Sequence, residues 1–246
     1  MPSGGHSNSW PRLARRRGSE RRTSASSSTV SPVPSFASLT FDDGPYADGT
    51  AGILEELGRG GILATFFVWG EQVEKHPELV RAALANGHSV QPHCWIHKPH
   101  PLMKPDEINA DISAMLKLLE DLGAPAPRLW RPPWGLLQRA TTQAIAREHG
   151  LELAGWSIDS SDYAGTTATT MLGEVRLSMD RLVGSDVPAV VLMHDCPLEP
   201  GQWSRRQHVK ETTRLVRGLL SDSGQSFAPL TCGLPNGLEE RDAQST

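Results

Sequence analysis

Short apolar segments alternate with helical patterns along most of the chain. From residue 36 onward, runs rich in β-branched and aromatic residues are separated by longer segments whose apolar residues recur at helical spacing. The predicted strands cover residues 35–43, 62–70, 88–97, 127–135, 151–159, 188–195 and 225–233. The predicted helices cover residues 49–61, 75–87, 104–123, 138–150, 167–184 and 205–220. Seven strands alternating with six helices restrict the fold to the α/β class, as a parallel barrel or a doubly wound sheet.

Length and composition favour a single domain. The chain has 246 residues, of which 38% are hydrophobic, and this is enough for one sizeable core. We expect that core within residues 36–233. Residues 1–35 are rich in Ser and Arg and poor in apolar side chains, so we predict a disordered tail there. We predict a second disordered tail over residues 234–246, and we expect the protein to be a monomer.

The charge distribution argues against nucleic acid as the main ligand. The net charge is −4, but residues 1–35 contain six arginines and one glutamate, a net +5, which leaves −9 for the remainder. An acidic body repels phosphate backbones.

The sequence has no run of 18 apolar residues, so no membrane span is predicted. Without an apolar signal segment, we expect a cytoplasmic protein from the chain as written, or an extracellular or cell-wall protein if translation starts elsewhere.

Polar side chains cluster at the carboxyl ends of the predicted strands. In parallel α/β folds these ends share one face, and active sites lie on that face. Residues that are far apart in the sequence are therefore expected to converge in space. These residues are Asp42, Asp43, His93, His97, Arg131, Asp159, Asp162 and His194.

One group of these residues has the composition of a metal site. Two histidines and one carboxylate are a common ligand set for a catalytic divalent metal, because three protein ligands leave positions for water and substrate. His93, His97 and Asp43 fit this set, and Asp42 would remain free as a base. Each feature also has a simpler interpretation, since His-x-x-x-His spacing is common by chance and Asp-Asp-Gly is typical of a turn.

The remaining polar residues suggest an acid and its supports. A metal-activated water needs a base to take its proton and an acid to protonate the leaving group. His194 is the candidate acid, and either Asp159 or Asp162 could orient it and keep it protonated. Arg131 could pair with Asp42 and hold it ionised. Taken alone, each of these residues is as well explained by a turn, a core position or an exposed surface.

Five short segments, taken in order, resemble a known family. They are "LTFDDGP" at residues 39–45, "HCWIH" at 93–97, "RPPWG" at 131–135, "DSSDY" at 159–163 and "LMH" at 192–194. This ordered set is similar to the five motifs of the polysaccharide deacetylases, the family 4 carbohydrate esterases. The resemblance covers about residues 36–233. It implies a distorted parallel (β/α) barrel of about seven strands.

The resemblance also implies an activity and a role for each matched residue. The activity is metal-dependent removal of acetyl groups from N-acetylated or O-acetylated sugars, such as chitooligosaccharide- or peptidoglycan-type glycans. The metal is most simply Zn²⁺, with Co²⁺ and Ni²⁺ as other possibilities. The resemblance implies that Asp42 is the base, supported by Arg131, and that Asp43, His93 and His97 hold the metal. It implies that His194 is the acid, tuned by Asp159 or Asp162. It also implies that the backbone N–H of Trp134 binds the oxyanion and that Pro133 and Tyr163 contact substrate.

Several positions depart from the pattern that this family usually shows. Cys94 stands where Ser or Thr is usual, and its thiolate could become a fourth ligand or, as we expect, point into the core. Trp134 replaces a Tyr, and Tyr163 replaces a Trp in the substrate groove. Gln91 and Pro92 replace Gly-Asn before the first histidine. These changes bear on substrate preference more than on catalysis.

Two other functions remain open from the sequence. One is a deacetylase or amidohydrolase for a small intracellular substrate. The other is a sugar-binding module that no longer turns over. A binding module has no need for both a base and an acid, and this chain retains candidates for both in Asp42 and His194.

Overall fold

A computed structural model of the chain describes residues 36–196, 205–221 and 225–241. The predicted N-terminal tail, residues 1–35, lies outside the described residues. The strands are β1 (Phe36–Asp42), β2 (Thr65–Trp69), β3 (Ser89–Cys94), β4 (Leu129–Trp130), β5 (Leu136–Gln138), β6 (Glu152–Leu153), β7 (Ile158–Asp159), β8 (Ala189–His194), β9 (Ser226–Phe227) and β10 (Glu239–Arg241). The helices are α1 (Ala47–Gly60), α2 (Gly70–Lys75), α3 (Pro77–Ala85), α4 (Pro105–Asp121), α5 (Arg139–Glu148), α6 (Ala168–Leu182) and α7 (Arg205–Leu220).

The strands pair in parallel, which confirms the predicted α/β class. The main sheet has the order β3-β2-β1-β8-β7, and β9 pairs with the first residues of β1. Strand β1 lies at its centre and pairs from Ala37 to Asp42 with β8. The two short sheets β4-β6 and β5-β10 complete the described strands.

The strands follow one another in barrel order, but their ladders do not close the barrel within the described residues. Between β3 and β4, Pro92 has no N–H to donate, and the side-chain oxygen of Gln91 instead accepts hydrogen bonds from the backbone N–H groups of Arg128 and Leu129, at 3.0 and 2.9 Å. The backbone N–H of Arg131 donates to the carbonyl of Pro92 at 3.4 Å. A side chain thus replaces part of a ladder at this point, which accounts for the distortion of the predicted barrel.

Three predicted strands are much shorter than expected, and the last of them, 225–233, is regular only over β9. The predicted strand 127–135 is regular only over β4, because the Pro-Pro sequence that follows cannot donate to a ladder and leads into a short 3₁₀ turn at Pro133–Gly135. The predicted strand 151–159 is divided into β6 and β7. Between these two, Gly155 and Trp156 donate their N–H groups to the chain's C-terminal segment instead of to a neighbouring strand.

The predicted C-terminal tail is wrong for residues 234–241, which belong to the fold. Leu234 is buried, and its backbone carbonyl accepts a hydrogen bond from the N–H of Gly155 at 2.6 Å. Asn236 accepts one from Trp156 at 2.7 Å, and β10 then pairs with β5. The segment was missed because two isolated leucines among polar residues show no strand pattern. Residues 242–246 lie outside the described residues.

The core lies between the central strands and the helices that cover them. The inner side chains of β1, Leu39 and Phe41, are fully buried, and Phe41 stacks on Phe66 of β2 with ring centroids 5.1 Å apart. The apolar face of α4 that the helical spacing predicts is buried at Ile108, Ile112, Met115 and Leu119. Both faces of β1 are covered, as expected for a central parallel strand.

None of the helices in the described part of the chain is long and apolar enough to cross a membrane. No disulfide joins Cys94, Cys196 and Cys232.

The C-terminal segment should stabilise the domain. We expect removal of residues 234–246 to expose the surface that Leu234 covers and to lose its backbone hydrogen bonds to Gly155 and Trp156. Burial of one leucine contributes about 1.5–3 kcal/mol. The melting temperature should therefore fall by about 5 °C or more, measured by differential scanning calorimetry. Removal of residues 242–246 alone is the control, and equal melting temperatures for the two truncated proteins would contradict the assignment.

Candidate functional site

Two adjacent carboxylates at the end of β1 face different partners. Asp42 is the last residue of β1, and Asp43 follows it in the left-handed region with φ of 76°. This conformation is uncommon for a residue other than glycine, although Asp tolerates it better than most. The backbone N–H of Asp43 donates to the carbonyl of Phe67 at 3.2 Å, which holds the turn in place. The turn separates the two carboxylates, so that Asp42 contacts an arginine and Asp43 contacts two histidines.

The Asp43 carboxylate and the two histidines form a compact ligand set. The Nε2 atoms of His93 and His97 each lie 3.1 Å from Oδ1 of Asp43. The three potential ligand atoms lie within 4.8 Å of one another, and the described part of the chain contains one such group. Asp43 Oδ1 is buried without a hydrogen-bond partner. The arrangement brings together the three residues that the sequence predicts.

The electrostatics of this set favour an added positive charge. Burial raises the pKa of the Asp43 carboxyl, but the adjacent imidazoles of His93 and His97 outweigh it and hold that pKa well below its usual range. Burial lowers the pKa of His93, yet Asp43 and Asp42 raise it above its ordinary value overall. A pocket in which a buried imidazole becomes easier to protonate is one that accommodates a cation. Two buried residues, one partly buried histidine and this charge balance fit a divalent metal ion.

An aspartate on helix α4 fixes the loop that carries the second histidine. Both carboxylate oxygens of Asp111 accept backbone N–H groups, from Trp95 at 2.8 Å and from Ile96 at 2.7 Å. The indole N–H of Trp69 donates to the carbonyl of Trp95 at 2.8 Å. Asp111 was not predicted from the sequence. Its signal was its position on the apolar face of the predicted helix, where an unpaired acid would be costly.

Arg131 is buried and holds Asp42. Its guanidinium donates to Oδ1 of Asp42 at 2.8 Å and to the hydroxyl of Thr40 at 2.8 Å. It also donates to the backbone carbonyls of Ala154 and Gly155 at 2.9 and 2.6 Å. The side chain has no solvent exposure. Burial lowers the pKa of Arg131 while Asp42 raises it, and the guanidinium remains charged because its ordinary pKa is so high.

The rings around Arg131 complete its environment. The guanidinium carbon lies 4.1 Å from the ring centroid of Phe67 and 5.6 Å from that of Trp156. A guanidinium over aromatic faces is stabilised by their quadrupoles. These contacts and four hydrogen bonds offset much of the cost of removing the charge from water.

Asp162, and not Asp159, contacts His194. Oδ1 of Asp162 lies 2.8 Å from Nδ1 of His194, and Oδ2 accepts the backbone N–H of the same residue at 2.8 Å. Asp159 instead accepts hydrogen bonds from the backbone N–H of Ser161 and the hydroxyl of Tyr163. Ser161 has φ of 54°, and this turn brings Asp162 beneath the histidine. The sequence alone left the choice between the two aspartates open.

The Asp162 carboxylate keeps His194 protonated at neutral pH. Burial lowers the pKa of His194, but the charge and hydrogen bond of Asp162 raise it to about 10. Burial raises the pKa of Asp162, and His194 lowers it below its usual value overall. The other ring nitrogen of His194, Nε2, lies 4.0 Å from Oδ2 of Asp43. A proton donor therefore lies beside the ligand set.

Two exposed aromatic rings flank the site. Trp134 is 52% exposed, and its ring centroid lies 4.0 Å from that of His97. Tyr163 is 53% exposed and lies edge-on to His194, with centroids 5.6 Å apart. Trp134 has φ of 55°, and Pro133 before it is buried and begins the turn. Flat apolar rings on either side of a polar centre are well suited to the faces of sugar rings.

Cys94 is not part of the ligand set. It is 1% exposed, and alternation along β3 directs its side chain away from the face on which His93 lies. Burial raises the pKa of the thiol well above its usual value, so that the thiol is neutral. The geometry therefore agrees with the expectation of a packing role.

Comparison with known proteins identifies the family. Residues 30–154 match the family model described as polysaccharide deacetylase. The chain belongs to this family. It is 32% identical over 195 residues to a peptidoglycan-N-acetylglucosamine deacetylase of Bacillus cereus, covering 78% of this chain and 67% of that protein. It is 31% identical over 194 residues to a chitooligosaccharide deacetylase of Bradyrhizobium, covering 74% of this chain and 83% of that protein.

Other relatives are longer than the matched region. The chain is 36% identical over 157 residues to the peptidoglycan-N-acetylglucosamine deacetylase PgdA of Listeria monocytogenes, covering 64% of this chain but only 32% of that protein. The chain therefore spans about a third of that relative.

Solved structures confirm the fold of this family member. The Bc1960 peptidoglycan N-acetylglucosamine deacetylase aligns with a TM-score of 0.67 at 25% identity, covering 86% of this chain and 91% of that one. A family 4 carbohydrate esterase from Streptomyces lividans aligns with a TM-score of 0.62 at 26% identity, covering 79% and 98%.

Breaking the buried ion pair of Arg131 and Asp42 should lower the stability of the protein. Arg131→Met removes one partner and leaves the Asp42 carboxylate buried without its counter-charge. Breaking such a pair costs about 3–5 kcal/mol, which should appear as a lower free energy of unfolding in urea titrations. The double variant Arg131→Met with Asp42→Asn removes both charges and should recover part of the loss. No recovery in the double variant would show that packing, and not charge, accounts for the effect.

Proposed function

We propose that this protein is a metal-dependent deacetylase of N-acetylated glycans of the chitooligosaccharide or peptidoglycan type. The observation that carries the proposal is the placement of an arginine-bound carboxylate and a carboxylate-bound histidine beside one ligand set. Asp42 is held by Arg131, and His194 is held by Asp162 with its free Nε2 4.0 Å from Asp43. The names of the relatives support the substrate class, since they include deacetylases of both glycans.

The residues divide the proton transfers between them. The Asp42 carboxylate accepts a proton from the attacking water, and the hydrogen bond from Arg131 fixes its orientation. His194 donates its Nε2 proton to the amine nitrogen as the bond to the acetyl group breaks, since Asp162 holds the ring through Nδ1. The backbone N–H of Trp134, next to the ligand set, is the proposed donor to the oxyanion.

Asp43, His93 and His97 would hold the metal. When bound, a divalent ion supplies Lewis acidity that polarises a carbonyl and lowers the pKa of water. We propose zinc, since two imidazoles and a carboxylate with open positions are a common catalytic zinc set, while Co²⁺ and Ni²⁺ would also accept these ligands. Asp111 would keep the Trp95–Ile96 segment, and so His97, in a geometry suited to the ion.

The supporting contacts favour an enzyme over a binding module. Arg131 is buried at the cost of desolvation and serves Asp42, and Asp162 is buried and serves His194. Neither contact is needed to hold a sugar ring on Trp134 and Tyr163. We propose that Pro133, Trp134 and Tyr163 line the glycan groove.

Acetate release tests the proposal. We expect the purified protein to release acetate from N-acetylated chitooligosaccharides or peptidoglycan fragments in the presence of Zn²⁺, with acetylated xylan as a comparison. Chelation with dipicolinate should abolish release, and added metal should restore it. Acetate release is measured by an enzyme-coupled assay. Release that is unaffected by chelation, or the absence of release from every glycan with metal bound, would contradict the proposed function.

Two neighbouring variants separate the base from the ligand. Asp42→Asn should retain bound metal but lose activity by at least about 10²-fold, the usual contribution of a general base. Asp43→Asn should instead weaken metal binding, because it removes a charged ligand. Metal content is measured by inductively coupled plasma mass spectrometry after dialysis. Equal metal loss in the two variants would show that the roles are wrongly divided, and Cys94→Ser, which should retain metal, is the control.

A further inference from the structure

Helix α7 presents two polar side chains to the acid pair. Thr212 donates its hydroxyl to Oδ2 of Asp162 at 3.0 Å and is 1% exposed. His208, one turn earlier on the same face, has its Nε2 atom 3.3 Å from the backbone carbonyl of His194 and 3.7 Å from Oδ2 of Asp162. Neither residue has a part in the proton transfers proposed above.

We propose that Thr212 is a positioning residue that orients Asp162 and, through it, the His194 ring. This inference rests on the proposed function, in which His194 is the acid. The terminal torsion of an aspartate is broad, so the plane of its carboxylate is set by its hydrogen bonds. Oδ2 of Asp162 has two donors, the backbone N–H of His194 and the hydroxyl of Thr212. With Oδ2 held in this way, Oδ1 is directed at Nδ1 of His194.

Thr212 lies on a different element of the fold from the two residues that it helps to orient. Asp162 begins a short 3₁₀ turn after β7, and His194 ends β8, whereas Thr212 lies in the middle of α7. Both hydrogen bonds from His194 come from that one residue, so they do not fix the carboxylate relative to the rest of the fold. The Thr212 hydroxyl adds a donor from a separate element. His208 lies against the carbonyl of His194 and limits movement of the same strand end.

The chain offers a matched control on the next residue of the helix. Thr213 donates its hydroxyl to the carbonyl of Val209 within α7 at 2.7 Å, and it faces away from Asp162 toward α1. Thr212→Val and Thr213→Val therefore make the same replacement of a hydroxyl by a methyl group at adjacent positions. Thr212→Ser keeps the hydroxyl, and Thr212→Ala removes it without adding a methyl group if the valine variant does not fold.

The experiment measures kcat and KM for acetate release by the zinc-loaded full chain, together with the proton resonance of His194 Nδ1–H. That resonance is assigned by its loss in His194→Gln. We expect Thr212→Val to lower kcat by about tenfold with KM nearly unchanged, the size expected for one hydrogen bond to a charged group. The resonance should shift or broaden. Thr212→Ser should restore both values, and Thr213→Val should leave both as in the parent.

Two results would overturn the inference. One is an unchanged resonance and kcat in the Thr212→Val and Thr212→Ala proteins. The other is an equal loss in Thr212→Val and Thr213→Val, which would indicate a general effect on packing of α7. If the parent protein releases no acetate at all, the proposed function fails, and the resonance measurement still decides whether Thr212 orients the Asp162–His194 pair.

Discussion

A single buried guanidinium connects the parts of the site that come from different strands. Arg131 follows β4, yet it donates to Asp42 at the end of β1, to Thr40 within β1, and to carbonyls of residues 154 and 155 between β6 and β7. These strands are not all neighbours in the ladder. The guanidinium therefore substitutes for backbone pairing in the part of the barrel where the ladders are interrupted. Its planar set of donors suits this role better than a lysine ammonium would.

The same site gives two adjacent carboxylates different partners. Asp42 pairs with the guanidinium of Arg131, and Asp43 faces two imidazoles. The left-handed turn at Asp43 makes this possible, because an extended continuation of β1 would place the side chains on opposite faces without aiming either at its partner. A third carboxylate, Asp162, is reserved for His194. Each of the three acids thus has partners of its own, Arg131 for Asp42, two imidazoles for Asp43 and His194 for Asp162, which limits their mutual repulsion.

The sequence predicts the face on which the site lies, but not all of its contacts. Alternating strand and helix patterns place Asp43, His93 and His194 at strand ends, and parallel topology brings such ends together. The choice between Asp159 and Asp162 depends on a left-handed residue, Ser161, in a loop without periodicity. Thr212 is invisible to pattern analysis, since a threonine within an amphipathic helix has no distinguishing neighbours.

The C-terminal segment shows how a part of the chain far from the chemistry can support it. Gly155 accepts the guanidinium of Arg131 on its carbonyl while its own N–H donates to Leu234. A side chain at this glycine would meet the carbonyl of Asn236 at 1.8 Å, so the two backbones are in direct contact. The segment thus fixes Gly155, Gly155 fixes Arg131, and Arg131 fixes Asp42. The order of these contacts implies that loosening residues 234–236 would first be felt at Asp42, and only later at His93 and His97, which take their positions from β3 and from the loop held by α4.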